Sequence, residues 1–113
     1  MPDQDPITLD LLRGTLDMMV LQILSRGPLH GYAIAQRIKQ RSEQVLQVGE
    51  GTLYPALQRL LVEGWVTAEW GMSETNRRAR FYQLTESGAR QLAREAEEFG
   101  RMVAAIGRVM EIA

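Results

Sequence analysis

A heptad pattern at the C-terminus constrains the fold of this 113-residue chain more than any other feature. Apolar residues recur there with alternating gaps of three and four: Ala89, Leu92, Ala96, Phe99, Val103, Ile106 and Met110. Thr85 is the predicted N-cap, and Glu86 adds a negative charge in the first turn, where the helix dipole favours it. The pattern predicts a long helix over residues 86–113, and 25 helical residues span about 37 Å. Since a domain this small cannot cover that length, we expect a dimerisation helix. The alternative is a stripe that packs on its own domain.

The N-terminal region predicts a first helix from Leu9, whose apolar residues also follow gaps of three and four. Thr8 is its predicted N-cap, Gly27-Pro28 ends it, and residues 1–8 are expected to form a disordered arm. The first and last helices are more apolar than a 113-residue monomer buries easily. The predicted dimer interface therefore combines both helices: Leu12, Leu16, Met19, Leu92, Ala96, Phe99, Val103, Ile106 and Met110.

The middle of the chain predicts two more helices, from His30-Gly31 to about Arg41 and from Gly51 to Glu63. Pro55 falls in the first turn of the latter, where its missing N–H is tolerated. The period then changes to two over residues 66–70 and 79–84, which predicts a β-hairpin. Three helices followed by a hairpin is the order of a winged helix-turn-helix. The predicted class is mainly α (α+β), with a DNA-binding domain over residues 9–85 and a two-stranded β wing.

Charge and composition limit the classes of function. The net charge is −1, but residues 26–60 carry five basic and two acidic side chains, which is compatible with a nucleic-acid partner. His30 is the single histidine and cysteine is absent, so metal sites and common nucleophilic sites lack the residues they need. We therefore expect no enzyme, no cofactor and no metal. No apolar run reaches the ~18 residues of a membrane span, so a membrane partner is not expected either.

The third helix and the hairpin carry the candidate DNA-binding residues. Thr and Tyr hydroxyls suit phosphate oxygens, whereas Gln and Arg also reach base edges in the major groove. The third helix offers Thr52, Tyr54, Gln58 and Arg59. The hairpin adds Arg77, Arg78 and Arg80, which could lie along the phosphate backbone or in a minor groove. The alternatives are ordinary surface residues on the helix and a solvated run of charge on the hairpin.

Four stretches of the sequence resemble the PadR family of transcriptional regulators, between about Leu9 and Leu92. They are RGTLDMMVLQIL, PLHGYAIAQRI, GEGTLYPALQRLLVEGWV and RRARFYQLTESGARQL, in the order and spacing of the family. The short segment after the heptads resembles the compact subgroup with one C-terminal helix. The resemblance implies a cytoplasmic bacterial repressor, a homodimer that binds a pseudo-palindromic operator in duplex DNA. A small ligand is a candidate effector that would release it.

The resemblance also implies roles for individual residues. Tyr32, Thr52, Tyr54 and Arg59 would contact DNA, Pro55 would shape the recognition helix, and Arg78, Arg80 and Tyr82 would belong to the wing. Phe81 stands where the family usually has lysine, which removes one phosphate contact. Trp65 replaces a smaller aliphatic residue, as a core variant.

Two questions stay open at the level of sequence. The alternative function is a winged-helix module for protein contacts without DNA binding, which the negative net charge and Phe81 favour; salt dependence of binding separates the two. Phe99 and the two tryptophans could line a ligand cavity at a dimer interface, or they could simply pack in the core.

Overall fold

The computed structural model describes residues 7–8 and 13–112, and it confirms the predicted helices and hairpin within that part of the chain. The helices are α1 Arg13–Leu24, α2 Gly31–Arg41, α3 Glu50–Val62 and α4 Glu86–Met110. The strands are β1 Ile7–Thr8, β2 Leu29–His30, β3 Leu46–Gln47, β4 Val66–Met72 and β5 Arg78–Leu84. The fold is a winged helix-turn-helix followed by one long helix.

The core lies between the first three helices and the base of the hairpin. Each helix contributes apolar residues at helical spacing, such as Leu16 and Val20 of α1 or Leu53, Leu57 and Leu60 of α3, and all of these are buried. Val66 and Tyr82 close the core from the hairpin side. The packing presents the outer face of α3 and the end of the hairpin to solvent.

The sheet has three strands in the order β2-β5-β4, and the third strand was not predicted. β4 and β5 are antiparallel, with Trp70 opposite Arg80 and Ala68 opposite Tyr82. β2 adds two residues, with His30 opposite Phe81. A two-residue strand is too short to show alternation, so no periodic signal precedes it. Its effect is to join the start of α2 directly to the wing.

The start of α4 is fastened to the turn between α3 and β4. The Thr85 hydroxyl accepts a hydrogen bond from the Gly88 N–H, at 3.0 Å, as predicted for the N-cap. It also donates to the Gly64 carbonyl, at 2.8 Å. A Cβ on Gly88 would overlap the Trp65 carbonyl oxygen, so only glycine permits this approach. The direction of α4 is therefore set by its first turn.

The two halves of α4 have different environments. In the N-terminal half, Leu92 packs against the core and Phe99 lines a cleft with Thr15 and Met18 of α1. The C-terminal half carries an apolar stripe, exposed in the single chain, that consists of Met102, Val103, Ile106, Val109 and Met110. We call these five residues the α4 stripe.

The N-terminal predictions need two corrections. Ile7–Thr8 form a strand parallel to Leu46–Gln47, where the sequence predicted a disordered arm with Thr8 as a helix cap. Leu16, predicted in the dimer interface, is 0% exposed in the single chain because it packs in the core, so it has no surface to offer to a second copy. Residues 1–6 of the predicted arm, and residues 9–12 with Leu12 and the predicted helix start, lie outside the described residues. Met19 is partly buried against the core.

The lengths and composition of the helices also bear on membrane insertion. Within residues 7–8 and 13–112, the structure contains no helix with the length and apolar character needed to cross a bilayer.

Candidate nucleic-acid interface

Helix α3 divides into a buried face and an exposed face. Leu53, Ala56, Leu57 and Leu60 face the core. Gly51, Pro55, Gln58 and Val62 face solvent, and Thr52 lies half-buried on one flank. Pro55 lies within the helix near its start, and the first N–H groups of α3 follow Gly49, which has no side chain to cap them. The exposed face thus combines a polar side chain, free helical N–H groups and little steric bulk, which suits contact with a duplex.

Tyr54 joins α3 to the start of α2. A Cβ on Gly31 would lie 2.7 Å from the Tyr54 hydroxyl oxygen, so the phenol packs where only a hydrogen is present. Partial burial and then the negative charge of Glu50 raise the pKa of Tyr54 above that of an ordinary tyrosine. The hydroxyl therefore stays protonated and can donate to an anionic oxygen. Tyr32, one residue into α2, is largely exposed.

Arg59, predicted to contact DNA, is held by an ion pair within the chain. Its Nη2 donates to Asp17 Oδ1 at 2.7 Å and its Nε donates to Asp17 Oδ2 at 3.3 Å. Both side chains are partly buried. The Arg59 guanidinium thus joins α3 to α1 through two hydrogen bonds. Both bonds would have to break before Arg59 could reach a base edge.

The wing places two of its three predicted arginines on aromatic rings. The Arg78 guanidinium lies over the Trp70 ring, 4.8 Å from its centroid, and that of Arg80 lies 5.9 Å from the Tyr82 centroid. Arg77 ends the turn that the Ser73 N–H closes by donating to the Arg77 carbonyl. The prediction that Tyr82 contacts DNA needs correction. Its ring is only 4% exposed because it packs in the core under β5.

A groove of about 500 Å³ separates α2 from the wing turn. Its lining includes Tyr32, Gln36 and Arg37 on α2 and Arg77 and Arg78 on the wing. Arg37 is a basic residue that the DNA-contact prediction missed. Its place on the outer face of α2 was visible in the helical period, but the wing opposite it depends on the tertiary fold.

His30 connects the two sides of this groove. Its Nδ1 accepts from the Ala33 N–H at 3.2 Å and so caps α2. Its Nε2 lies 3.5 Å from Glu74 Oε1 in the wing turn, and its ring meets Phe81 edge-on at 5.4 Å. Backbone hydrogen bonding at Glu74 and then the His30 contact lower the pKa of that carboxyl below 4.5. The Phe81 ring thus packs against His30 where β2 pairs with β5.

The three aromatic residues considered for a ligand cavity lie apart. Trp65 packs against the core, and Trp70 is on the wing under Arg78. Phe99 lines the cleft between α1 and α4, about 290 Å³ in volume, with Met18 and Met102. For the two tryptophans, core packing and the arginine contact explain the positions without a shared cavity.

Comparison with known proteins places this geometry in a family. Residues 20–94, well over half of the chain, match the sequence profile described as the transcriptional regulator PadR-like family. The chain belongs to the PadR-like family of transcriptional regulators. Membership confirms the family predicted from sequence, and it confirms that the chain is not an enzyme.

Individual PadR-like relatives are similar over most of the chain. The negative transcriptional regulator PadR of Bacillus subtilis is 31% identical over 77 residues, which cover 68% of this chain and 42% of that protein. A solved transcriptional regulator from Clostridium thermocellum is 29% identical with a TM-score of 0.78, covering 88% of this chain and 96% of that one. A solved PadR family regulator from Eggerthella lenta is 30% identical with a TM-score of 0.75, covering 93% and 89%. The winged fold and its long last helix are thus shared with known regulators.

Proposed function

We propose that this chain is a sequence-specific DNA-binding repressor that acts in the cytoplasm as a homodimer on a pseudo-palindromic operator. The observation that carries the proposal is the exposed face of α3, which lies beside a wing with two arginines, Arg78 and Arg80, over aromatic rings. Repression is the activity that the Bacillus subtilis relative's name gives that protein.

DNA contact would divide between two kinds of group. Gln58 is exposed on the outer face of α3 and is the candidate for reading base edges. Thr52, Tyr54 and the N–H groups at the start of α3 would contact phosphates. Tyr32 and the arginines of the wing would extend the phosphate contacts on either side, so that local positive charge outweighs the net charge of −1.

The homodimer is supported by the α4 stripe. Its five apolar side chains are about half-exposed or more, and three of them, Val103, Ile106 and Met110, continue the heptad pattern. A second copy would bury this stripe and add to the interface the predicted residues Leu92, Ala96 and Phe99. A two-fold axis through the stripe would then present two α3 helices to successive major grooves, about 34 Å apart.

A small-molecule effector would have a place in the same region. The cleft lined by Phe99, Met18 and Met102 adjoins the α4 stripe, so an occupant would contact both α1 and the dimer helix. A ligand there would change the angle between the two copies and hence the distance between the α3 helices.

Fluorescence anisotropy with labelled duplexes tests the proposal. The DNA upstream of the chain's own reading frame is titrated at about 50 mM and about 200 mM salt, with an unrelated duplex as control. Tighter binding to the upstream duplex and a steep loss of affinity with salt are expected for a repressor of its own gene. If neither duplex binds, a selection for bound genomic fragments follows. Recovery of none at low salt would favour a module for protein contacts.

Replacement of Gln58 tests base reading. Gln58→Ala should weaken specific binding by about 1–3 kcal/mol and leave binding to the unrelated duplex unchanged, because phosphate contacts stay intact. Gln22→Ala is the matched control, since Gln22 is also exposed but lies on α1. Equal loss on both duplexes would remove Gln58 from the base-reading residues.

A further inference from the structure

One face of the hairpin changes from buried to exposed along its length, and at its exposed end β4 carries large apolar side chains while β5 carries arginines. The antiparallel register puts Val66, Ala68, Trp70 and Met72 of β4 on the same face as Tyr82, Arg80 and Arg78 of β5. At the base, Val66 and Tyr82 are buried. Beyond the helices, Trp70 and Met72 are 62% and 61% exposed. We call Trp70, Met72, Arg78 and Arg80 the wing-tip face.

Exposure of a tryptophan on a strand calls for a physical explanation. A strand that leaves the core usually continues with polar residues on both faces, and large exposed apolar side chains that cluster mark a contact surface. Trp70 lies outside the core and is largely exposed, and the Arg78 guanidinium lies over its ring, 4.8 Å from the centroid. Arg78 is diagonal to Trp70 in the register, a position from which a long side chain reaches an aromatic neighbour.

The contact with Trp70 restricts the Arg78 side chain before any phosphate is bound. An exposed arginine loses side-chain entropy when it binds a phosphate, and an aromatic face that holds the guanidinium beforehand lowers that cost. The edges of the guanidinium, which carry the N–H donors, stay available when the plane lies over a ring. Trp70 therefore prepares Arg78 to donate to an anionic oxygen.

The wing-tip face is continuous with the exposed part of α3. The Tyr54 phenol packs against Gly31, which directly follows β2, and β2 pairs with β5 through Leu29 opposite Tyr82. Arg80 lies over the Tyr82 ring, and Trp70 is directly opposite Arg80 in the register. A line of donors thus runs from α3 along the wing: the Tyr54 hydroxyl, then Arg80, then Arg78.

We propose that Trp70 is a positioning residue for DNA binding, which holds Arg78 ready to contact the sugar-phosphate backbone beside the groove that α3 enters. The inference rests on the proposed DNA binding and extends it to a residue that the DNA-contact prediction did not include. Arg78 and Arg80, held over aromatic rings, present two positive charges to a negatively charged partner such as the phosphate backbone. Since the contact is to the backbone, it operates on any duplex sequence.

Salt-dependent binding to an unrelated mixed-sequence duplex tests the proposal without knowledge of the operator. Arg78→Ala should weaken binding about tenfold and lower the salt slope by about one for each wing bound. Trp70→Ala should show much the same loss although no charge is removed, and Trp70→Phe should restore most of it. The double variant should bind no more weakly than Arg78→Ala, because the two residues act as one unit. Arg90→Ala, an exposed arginine on α4, is the control for simple loss of charge.

Two results of this titration would overturn the inference by itself. Wild-type affinity and salt slope for Trp70→Ala would show that Arg78 needs no support, and additive losses in the double variant would show that the two residues act separately. If the wild type binds and only these tests fail, the proposed function stands without the inference. If the wild type binds no duplex at low salt, both fail.

Tryptophan fluorescence provides a readout that a purely structural role would not change. The chain has two tryptophans, so Trp65→Phe leaves Trp70 as the single one. Duplex addition should quench or shift its emission over the same range in which anisotropy rises. If Trp65→Phe does not fold, the difference between the wild type and Trp70→Phe reports the same signal. Unchanged emission at saturating duplex would contradict the proposal.

Discussion

Helix α1 and the C-terminal half of α4 have similar apolar patterns but opposite environments. Both repeat apolar residues with gaps of three and four, and both were predicted to contribute to a dimer interface. In the structure, Leu16 and Val20 of α1 are completely buried within the single chain, whereas Ile106 in α4 is 51% exposed. Periodicity therefore shows that a helix has a face to bury, and it does not show what will cover that face.

The difference separates two energetic roles. Residues of α1 stabilise the fold of one chain, because α2 and α3 enclose them. Residues of the α4 stripe contribute little to the fold of one chain, since water reaches them, and they would gain burial only in the proposed dimer. Four experiments can break or sharpen this comparison, ordered from the largest expected effect to the smallest.

Leu16→Ala should give the largest loss of stability. A fully buried leucine truncated to alanine leaves a cavity, and the free energy of unfolding should fall by about 3 kcal/mol. Urea unfolding followed by circular dichroism, at several protein concentrations, measures the loss. Ile106→Ala is the matched control, and its effect should depend on concentration because any loss arises through association. Equal, concentration-independent losses would contradict the comparison.

Ile106→Asp should weaken self-association by about 2 kcal/mol or more, because it places a charge in a buried apolar contact. Sedimentation velocity over a range of concentrations measures the dissociation constant. Ala104→Asp is the control, since Ala104 is exposed on the opposite side of the same helix segment. An oligomer unaffected by Ile106→Asp would show that the α4 stripe is not the dimer contact.

Arg59→Ala tests whether the ion pair to α1 is structural. Removal of the guanidinium leaves the partly buried Asp17 without its partner, so unfolding free energy should fall by about 1–2 kcal/mol. A double-mutant cycle with Asp17→Ala isolates the pair. A base-reading role for Arg59 would appear differently, as unchanged stability with lower affinity for the specific duplex alone.

Thr85→Ala should have the smallest effect of the four, about 1 kcal/mol. It removes the N-cap hydrogen bond and the exposed bond to the Gly64 carbonyl, which still accepts from the Ser87 hydroxyl. The midpoint of thermal unfolding should fall by about 4 °C. Thr67→Ala, at an exposed position of β4, is the control for the same chemical change. A larger drop for the control would mean that the cap adds little to the anchorage of α4.

The predicted elements were confirmed where local signals were strong. Thr85 caps α4 and Gly64 follows α3, because caps and turns depend on the backbone within a few residues. The prediction that Pro55 lies in the first turn of α3 was wrong, because the helix begins at Glu50 and Pro55 lies inside it. The hairpin was expected from its period of two. β2 was missed because its two residues pair with a strand about 50 positions away along the chain.

The candidate site was less predictable than the elements that carry it. Trp70 and Tyr82 occupy the same face of the hairpin, one on each strand. Nothing in the alternating pattern distinguishes them, yet Tyr82 is buried and Trp70 is exposed. The difference depends on where the helices stop covering the sheet. Arg59 likewise has the sequence signature of a DNA contact, and its carboxylate partner lies 42 residues away on α1.

The sequence by itself determined the order of the elements, the family and the presence of two apolar helices, since periodicity, caps and motifs are properties of adjacent residues. Only the tertiary structure decided which apolar faces are covered, which arginines are paired within the chain and which rings support them. Those features depend on packing between distant segments. A side chain's solvent exposure, and with it its availability to a partner, follows from that packing and not from its neighbours in the chain.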